Sequence, residues 1–345
     1  MPESLAITPD GSRLFVALLT REHNCCWWDG EHEGYIASFD LAAQVKDRAF
    51  HITEDPFDLV ATSDGHLVVS SGSGQWTSAR VFDATSGAEM GSTGPIYQGM
   101  RLALHPSELY VYGADTLSGP SDIHRFDLGA GGTIAYRGDS VYHGDHRMND
   151  NVWASPHGDI LITRGGDVFT AGRADRSADM IYLASTTATN INDLAFDAGD
   201  AAFFTGEGSA LHWYNLQSYL EAGSQPFPAN INFVGLHGES VFGVMVGATS
   251  TRIQSVANAM LAGAGNTAPV AQFTVGPASG RTTQVTLAFD ASVSSDAQDP
   301  LSALQFRWDA NNDGVWDTSF SNTPAYGIRY QTAGTKIVKL QVKDS

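Results

Sequence analysis

The sequence predicts an all-β protein, a multi-bladed β-propeller followed by a smaller β-sandwich, and three observations carry that expectation. A strand–turn–strand unit recurs along residues 1–260. Charged residues make up only 17% of the chain, while 36 glycines punctuate it. A single segment reads as helical. Short runs of Thr, Ser, Val and aromatic residues between those glycines suit many short strands joined by tight turns. A length of 345 residues accommodates one large and one small domain, each with its own core.

The repeat is clearest at Leu5 to Ala17, where an alternating strand runs into Pro9-Asp10-Gly11 and a second apolar strand leaves it. A second copy spans Asp58 to Val69. Weaker copies follow at Met100 to Tyr112, Val152 to Thr163, Ile191 to Thr205 and Ile231 to Val246. The period is about 45 residues, close to one four-stranded blade. The turn falls at Gly11, Gly65, Ser107, Gly158, Gly199 and Gly238, and third strands end alike in Phe39-Asp40, Phe82-Asp83 and Phe126-Asp127. Such a sheet cannot bury both faces alone, so neighbours stack around an axis. Six units are visible, and a parent with seven is expected if a blade or a closing strand lies upstream. The one helical candidate, Asn215 to Ala222, reads as a short surface insertion, which excludes the alternating helices of a TIM barrel.

A small, flexible linker at residues 261–268 ends at Pro269, and a second domain, 269–345, begins there. Its strands read as Pro269 to Val275, Val285 to Ser292, Leu304 to Asp309 and Lys336 to Asp344. The opening Pro269-Val270-Ala271-Gln272-Phe273, the strand end Phe289-Asp290-Ala291-Ser292 and the strand Phe306-Arg307-Trp308-Asp309 closely resemble the polycystic-kidney-disease (PKD) family. That resemblance implies an immunoglobulin-like sandwich with Trp308 as its buried aromatic. It also implies that the last strand of the sandwich is missing, so the chain is expected to be a fragment. The first blades, with Pro9-Asp10-Gly11-Ser12-Arg13-Leu14-Phe15-Val16-Ala17 and Gly34-Tyr35-Ile36-Ala37-Ser38-Phe39-Asp40-Leu41, resemble the YVTN-type propellers of bacterial and archaeal surface proteins.

Acidic residues outnumber basic ones 38 to 19, for a net charge of −19. That balance repels polyanions and makes nucleic acid an unsuitable partner. No run of apolar residues is long enough to span a membrane. The start, Met1-Pro2-Glu3-Ser4, lacks the basic and apolar regions of a signal peptide and runs directly into a strand. An export signal is therefore expected upstream of this sequence.

Four constellations could carry chemistry. His23-Asn24-Cys25-Cys26-Trp27-Trp28-Asp29-Gly30-Glu31-His32-Glu33 interrupts the first blade. Its cysteines can close a vicinal disulfide, its tryptophans can form a platform for a sugar or pack inward, and His23 and His32 are metal-ligating types. A Cys-Cys pair also lies near the cofactor of quinoprotein propellers, whose repeated Trp-containing blade motif is absent here. His143 and His146, in a polar stretch between the third and fourth units, are candidate ligand-binding or metal residues set against a plain solvated loop. Asp309, Asn311, Asp313, Val315 (through its carbonyl) and Asp317 follow the first positions of a calcium loop, with Gly314 at the sixth. Phe320 stands where an EF-hand needs an acid, so the competing reading is a hairpin turn, and Ca2+ binding would draw on acids such as Asp296 or Asp299. No Gly-x-Ser-x-Gly elbow, His-Glu-x-x-His or phosphate loop occurs.

The expected function is that of an extracellular or cell-surface binding or adhesion protein. Its propeller would serve as interaction face and its PKD-type domain as spacer or binding module, with a surface protein or polysaccharide as partner. The alternative is a secreted hydrolase, lactonase or lyase with an active site at the propeller axis.

Overall fold

A computed structural model describes residues 1–30, 32–197, 201–237, 240–257, 268–296, 299 and 301–344. The chain divides into two units, Met1–Asn258 and Ala259–Ser345. The linker residues 261–267 and the turn glycines Gly199 and Gly238 lie outside the described residues.

The first unit is a β-propeller built from antiparallel sheets in strict chain order. Pro2–Ile7, Arg13–Leu19, Gly34–Asp40 and Val45–Ile52 make the first sheet. Pro56–Ala61, His66–Ser71, Arg80–Asp83 and Glu89–Ser92 make the second. The third holds Met100–Leu104, Tyr110–Asp115, Ile123–Gly129 and Thr133–Asp139. The fourth holds Val152–Ala154, Ile160–Thr163, Asp167–Thr170 and Tyr182–Ser185. Asp193–Phe196, Ala202–Glu207, Ala210–Asn215 and Glu221–Pro226 form the fifth, and three described strands, Phe233–His237, Ser240–Val246 and Thr251–Ala257, the sixth.

The alternation of a strand explains why the second strand of each sheet reads as an apolar run. Leu67 and Val69 pack with Phe15 and Ile36 of the first sheet, while Val68 between them packs with Met100 and Val111 of the third. Tyr112 then faces Leu161 and Phe169 of the fourth sheet, whose Ile160 and Ile162 face Phe203 of the fifth. A strand buried on both faces loses its polar positions. Carboxylates stitch sheets together where their first strands approach. Asp58 Oδ2 accepts the Leu102 N–H at 2.8 Å, and Asp193 Oδ2 accepts that of Val234 at 2.8 Å. Burial pushes both carboxyls up.

The turns follow one template. Gly11, Gly65 and Gly158 take positive φ and donate their N–H three residues back, to Thr8, Thr62 and Ser155. In the third sheet the corresponding residue is Glu108 (φ 57°), which donates to His105, rather than Ser107 as the repeat suggested. Two of the three Phe-Asp endings share a physical reason, whereas Asp127 accepts from Arg125 and Arg137 instead. Asp40 accepts the Ala43 N–H and Asp83 those of Thr85 and Ser86, capping the hairpin that follows. Asn215 does the same for Gln217 and Ser218. The segment Asn215 to Ala222 is therefore a turn into a fourth strand, with Tyr214 opposite Glu221, and not a helix. An Asx-type turn mimics the opening of a helical turn, which is what the helical reading responded to.

In the second unit, Thr274–Gly276, Leu287–Asp290 and Ala325–Ile328 form one sheet and Gln305–Asp309 pairs with Lys339–Lys343 in another. The two share a core of Phe289, Ala291, Leu304, Phe306 and Trp308, with Trp308 only 2% exposed. Among the described residues no helix is long and apolar enough to cross a membrane.

Candidate functional site

Within the first sheet, the connection between Arg13–Leu19 and Gly34–Asp40 carries the Cys-Cys-Trp-Trp segment, and Asn24 organises it. Its Nδ2 donates to Gly30 O (2.6 Å) and to His32 Nε2 (3.0 Å). Its Oδ1 accepts the N–H of Gly74 (3.0 Å) and of Cys26 (3.3 Å). The Asn24 N–H donates to Ser73 Oγ (2.9 Å), and Gln98 Nε2 donates to the Asn24 carbonyl (2.7 Å). One side chain thus closes the loop on itself and staples it to the second sheet. Cys25 and Cys26 are joined by a disulfide, and Trp27–Asp29 form a single 3-10 turn. So constrained, Trp27 and Trp28 point outward, 66% and 67% exposed, with rings edge-to-face at 5.8 Å. They do not pack inward over the propeller rim. Trp76, two residues beyond Gly74, is 64% exposed against Tyr97.

Beneath this loop lies a polar centre around the fully buried Asp55. His23 Nδ1 approaches Asp55 Oδ2 at 2.7 Å and Ser73 Oγ donates to the same oxygen. His32 Nδ1 stands 3.9 Å away, and Glu3 is 3.7 Å from His23 Nε2. A Cβ at Gly72 would overlap the His23 ring, so glycine is required there. Burial disfavours the charged form of His23, but the hydrogen bond and charge of Asp55, with help from Glu3, outweigh it and raise its pKa. His23 and His32 were legible as candidate residues. Asp55, Asn24, Ser73 and Gln98 were not, because their roles depend on pairing across sheets.

His143 and His146 part company. His146 stacks on Tyr182 at 4.1 Å and meets Tyr142 at 4.4 Å, with Asp167 3.7 Å away. His143 joins the end of the third sheet, where its Nδ1 is 2.9 Å from Asp122 Oδ2. Asp122, Asp139 and His143 each offer a ligand atom within 4.8 Å of the others. They are the one such group of three or more His, Cys, Asp or Glu side chains among the described residues. The four histidines that an axial active site would draw on divide among three carboxylates: Asp55 for both His23 and His32, Asp122 for His143, and Asp167 for His146.

In the second unit the acids of Asp309 to Asp317 serve their own turn. Asp309 accepts the N–H groups of Asn312 (2.7 Å) and Gly314 (3.2 Å), and Asn311 Oδ1 accepts that of Asp313 (3.0 Å). Asp313 accepts the N–H of Val315 (2.8 Å) and Asp317 that of Ala310 (2.7 Å). Asn312 (φ 59°) and Gly314 (φ 87°) supply the left-handed positions. Asp299 donates its N–H to Asp296 Oδ1.

No family model matches the chain, and no curated protein matches it. Solved structures do. Hydrazine synthase of Kuenenia stuttgartiensis superposes with a TM-score of 0.55 at 12% identity, covering 74% of this chain and 84% of that one. Sqt1 of Saccharomyces cerevisiae superposes with a TM-score of 0.51 at 8% identity, covering 84% and 92%. At such identities the likeness shows the fold alone, and that fold is the β-propeller.

Proposed function

We propose that this is an extracytoplasmic binding protein whose propeller presents the Trp27–Trp28 loop to a polysaccharide, with the second unit as a PKD-type spacer or accessory binding module. The observation that carries this reading is the exposure of Trp27 and Trp28 on a loop that Asn24, the Cys25–Cys26 disulfide and the His23–Asp55 contact hold in one shape. Large apolar rings held rigidly in water cost solvation free energy, which a ligand that stacks on them recovers. A disulfide suits an oxidising compartment, and the acidic surface suits a neutral rather than an anionic polymer. The PKD-type reading of the second unit is supported by Trp308, buried in the core of its two sheets. An axial active site has less support, since only His23 and His32 share a carboxylate, while His143 and His146 face others.

Affinity electrophoresis of the full chain through gels containing soluble neutral polysaccharides tests this. Retardation on at least one polymer is expected, with the Trp27→Ala/Trp28→Ala pair weakening it at least tenfold, equivalent to ~1.4 kcal/mol. No retardation on any polymer, or retardation that the double substitution leaves intact, contradicts it.

A further inference from the structure

We propose that the end of the third sheet is a divalent-metal site, with Asp122, Asp139 and His143 as ligands and Zn2+ as the best-matched ion. Asp122 immediately precedes the strand Ile123–Gly129, Asp139 ends the strand Thr133–Asp139, and His143 lies four residues further on. Their ligand atoms lie within 4.8 Å of one another. Tetrahedral ligands held at about 2.0–2.2 Å lie roughly 3.3–3.6 Å apart, so the three atoms would have to adjust to that spacing around an ion. Asp122 is 4% exposed and fixed by the Ile123 N–H (2.7 Å) and Ser140 Oγ (2.5 Å). Asp139 and His143 are exposed and free to close the remaining distance.

A second observation points the same way. Asp115, 5% exposed, has a buried Oδ1 with no hydrogen-bond partner. Its N–H donates to the Asp122 carbonyl (3.1 Å), and its Oδ2 meets His124 Nε2 at 2.9 Å. His124 is the residue opposite Asp139 in the sheet register, and its Nδ1 meets the Tyr136 hydroxyl at 3.0 Å. The second Asp115 oxygen is held by His124 and by the Ser118 hydroxyl (2.6 Å), which leaves Oδ1 buried without a hydrogen-bond partner next to the Asp122 backbone. The Arg176 guanidinium donates to the Asp139 carbonyl (3.0 Å), and a dication held by Asp122, Asp139 and His143 would add positive charge where three acids gather. Two carboxylates with one imidazole suit zinc better than calcium, which takes six to eight oxygens, and leave a coordination position open to solvent or ligand.

Metal-depleted full-length protein titrated with ZnCl2 by calorimetry is expected to show one site tighter than about 0.1 mM, below which specific occupancy is convincing. Asp139→Asn and His143→Ala should each weaken it at least tenfold while leaving the circular dichroism unchanged, both residues being exposed. Absence of a zinc site, a site unaffected by either substitution, or calcium binding more tightly than zinc would each overturn the proposal.

Discussion

The turn at Asp309 to Asp317 and the end of the third sheet are both rich in carboxylates, yet they spend them in opposite ways. In the turn, the acids lie within nine consecutive residues, and Asp309, Asp313 and Asp317 each accept backbone N–H groups from the same loop. At the sheet end, Asp115, Asp122 and Asp139 come from separate strand ends, and one buried oxygen of Asp115 remains without a partner. Acids close in sequence are well placed to cap their own backbone, whereas acids brought together by strand register repel one another and create demand for a cation.

The largest effect should come from the turn. Asp309 is 1% exposed and holds two N–H groups, so Asp309→Ala is expected to cost roughly 3 kcal/mol of the second unit's stability. Calcium should not shift the wild-type unfolding midpoint. A cost under about 1 kcal/mol, or a calcium-dependent midpoint, would show that the carboxylates are not primarily turn caps.

Asp55 sits between the two extremes, since one oxygen takes His23 and Ser73 and the other has no partner. His23→Gln is expected to cost about 2 kcal/mol, the scale of a hydrogen bond to a buried charge. The folded-state pKa of His23 is raised, so its ionic contribution is fully present below the ordinary value of about 6.5 and fades as pH rises through the higher folded value. Denaturation of wild type and variant across a pH series should therefore show the gap between them narrowing from about pH 6 upward. A gap that widens with pH would reverse the assigned charge state.

Local chemistry was legible in the sequence and cross-strand chemistry was not. The Gly11, Gly65 and Gly158 turns and the Phe-Asp endings at Asp40 and Asp83 could be read because each acts within a few residues of itself. Asn215 misled for the same reason, since its capping of Gln217 and Ser218 resembles the first turn of a helix. In the third turn the left-handed residue is Glu108 rather than its neighbour Ser107, a position no side-chain preference marks. His143 could be picked out, with His146, as a candidate ligand, but its contact with Asp122 could not. Asp122 lies 21 residues away, and Asp139 joins it only through the pairing that sets His124 opposite Asp139. The outward aim of Trp27 and Trp28 depends on the staple that Asn24 makes to Gly74, 50 residues on.

Crystals grown with zinc and measured on both sides of the zinc absorption edge test the contrast between the two carboxylate clusters most directly. An anomalous peak is expected between Asp122, Asp139 and His143, with none along Asp309 to Asp317. A peak within the turn, or none at the end of the third sheet, would contradict the account.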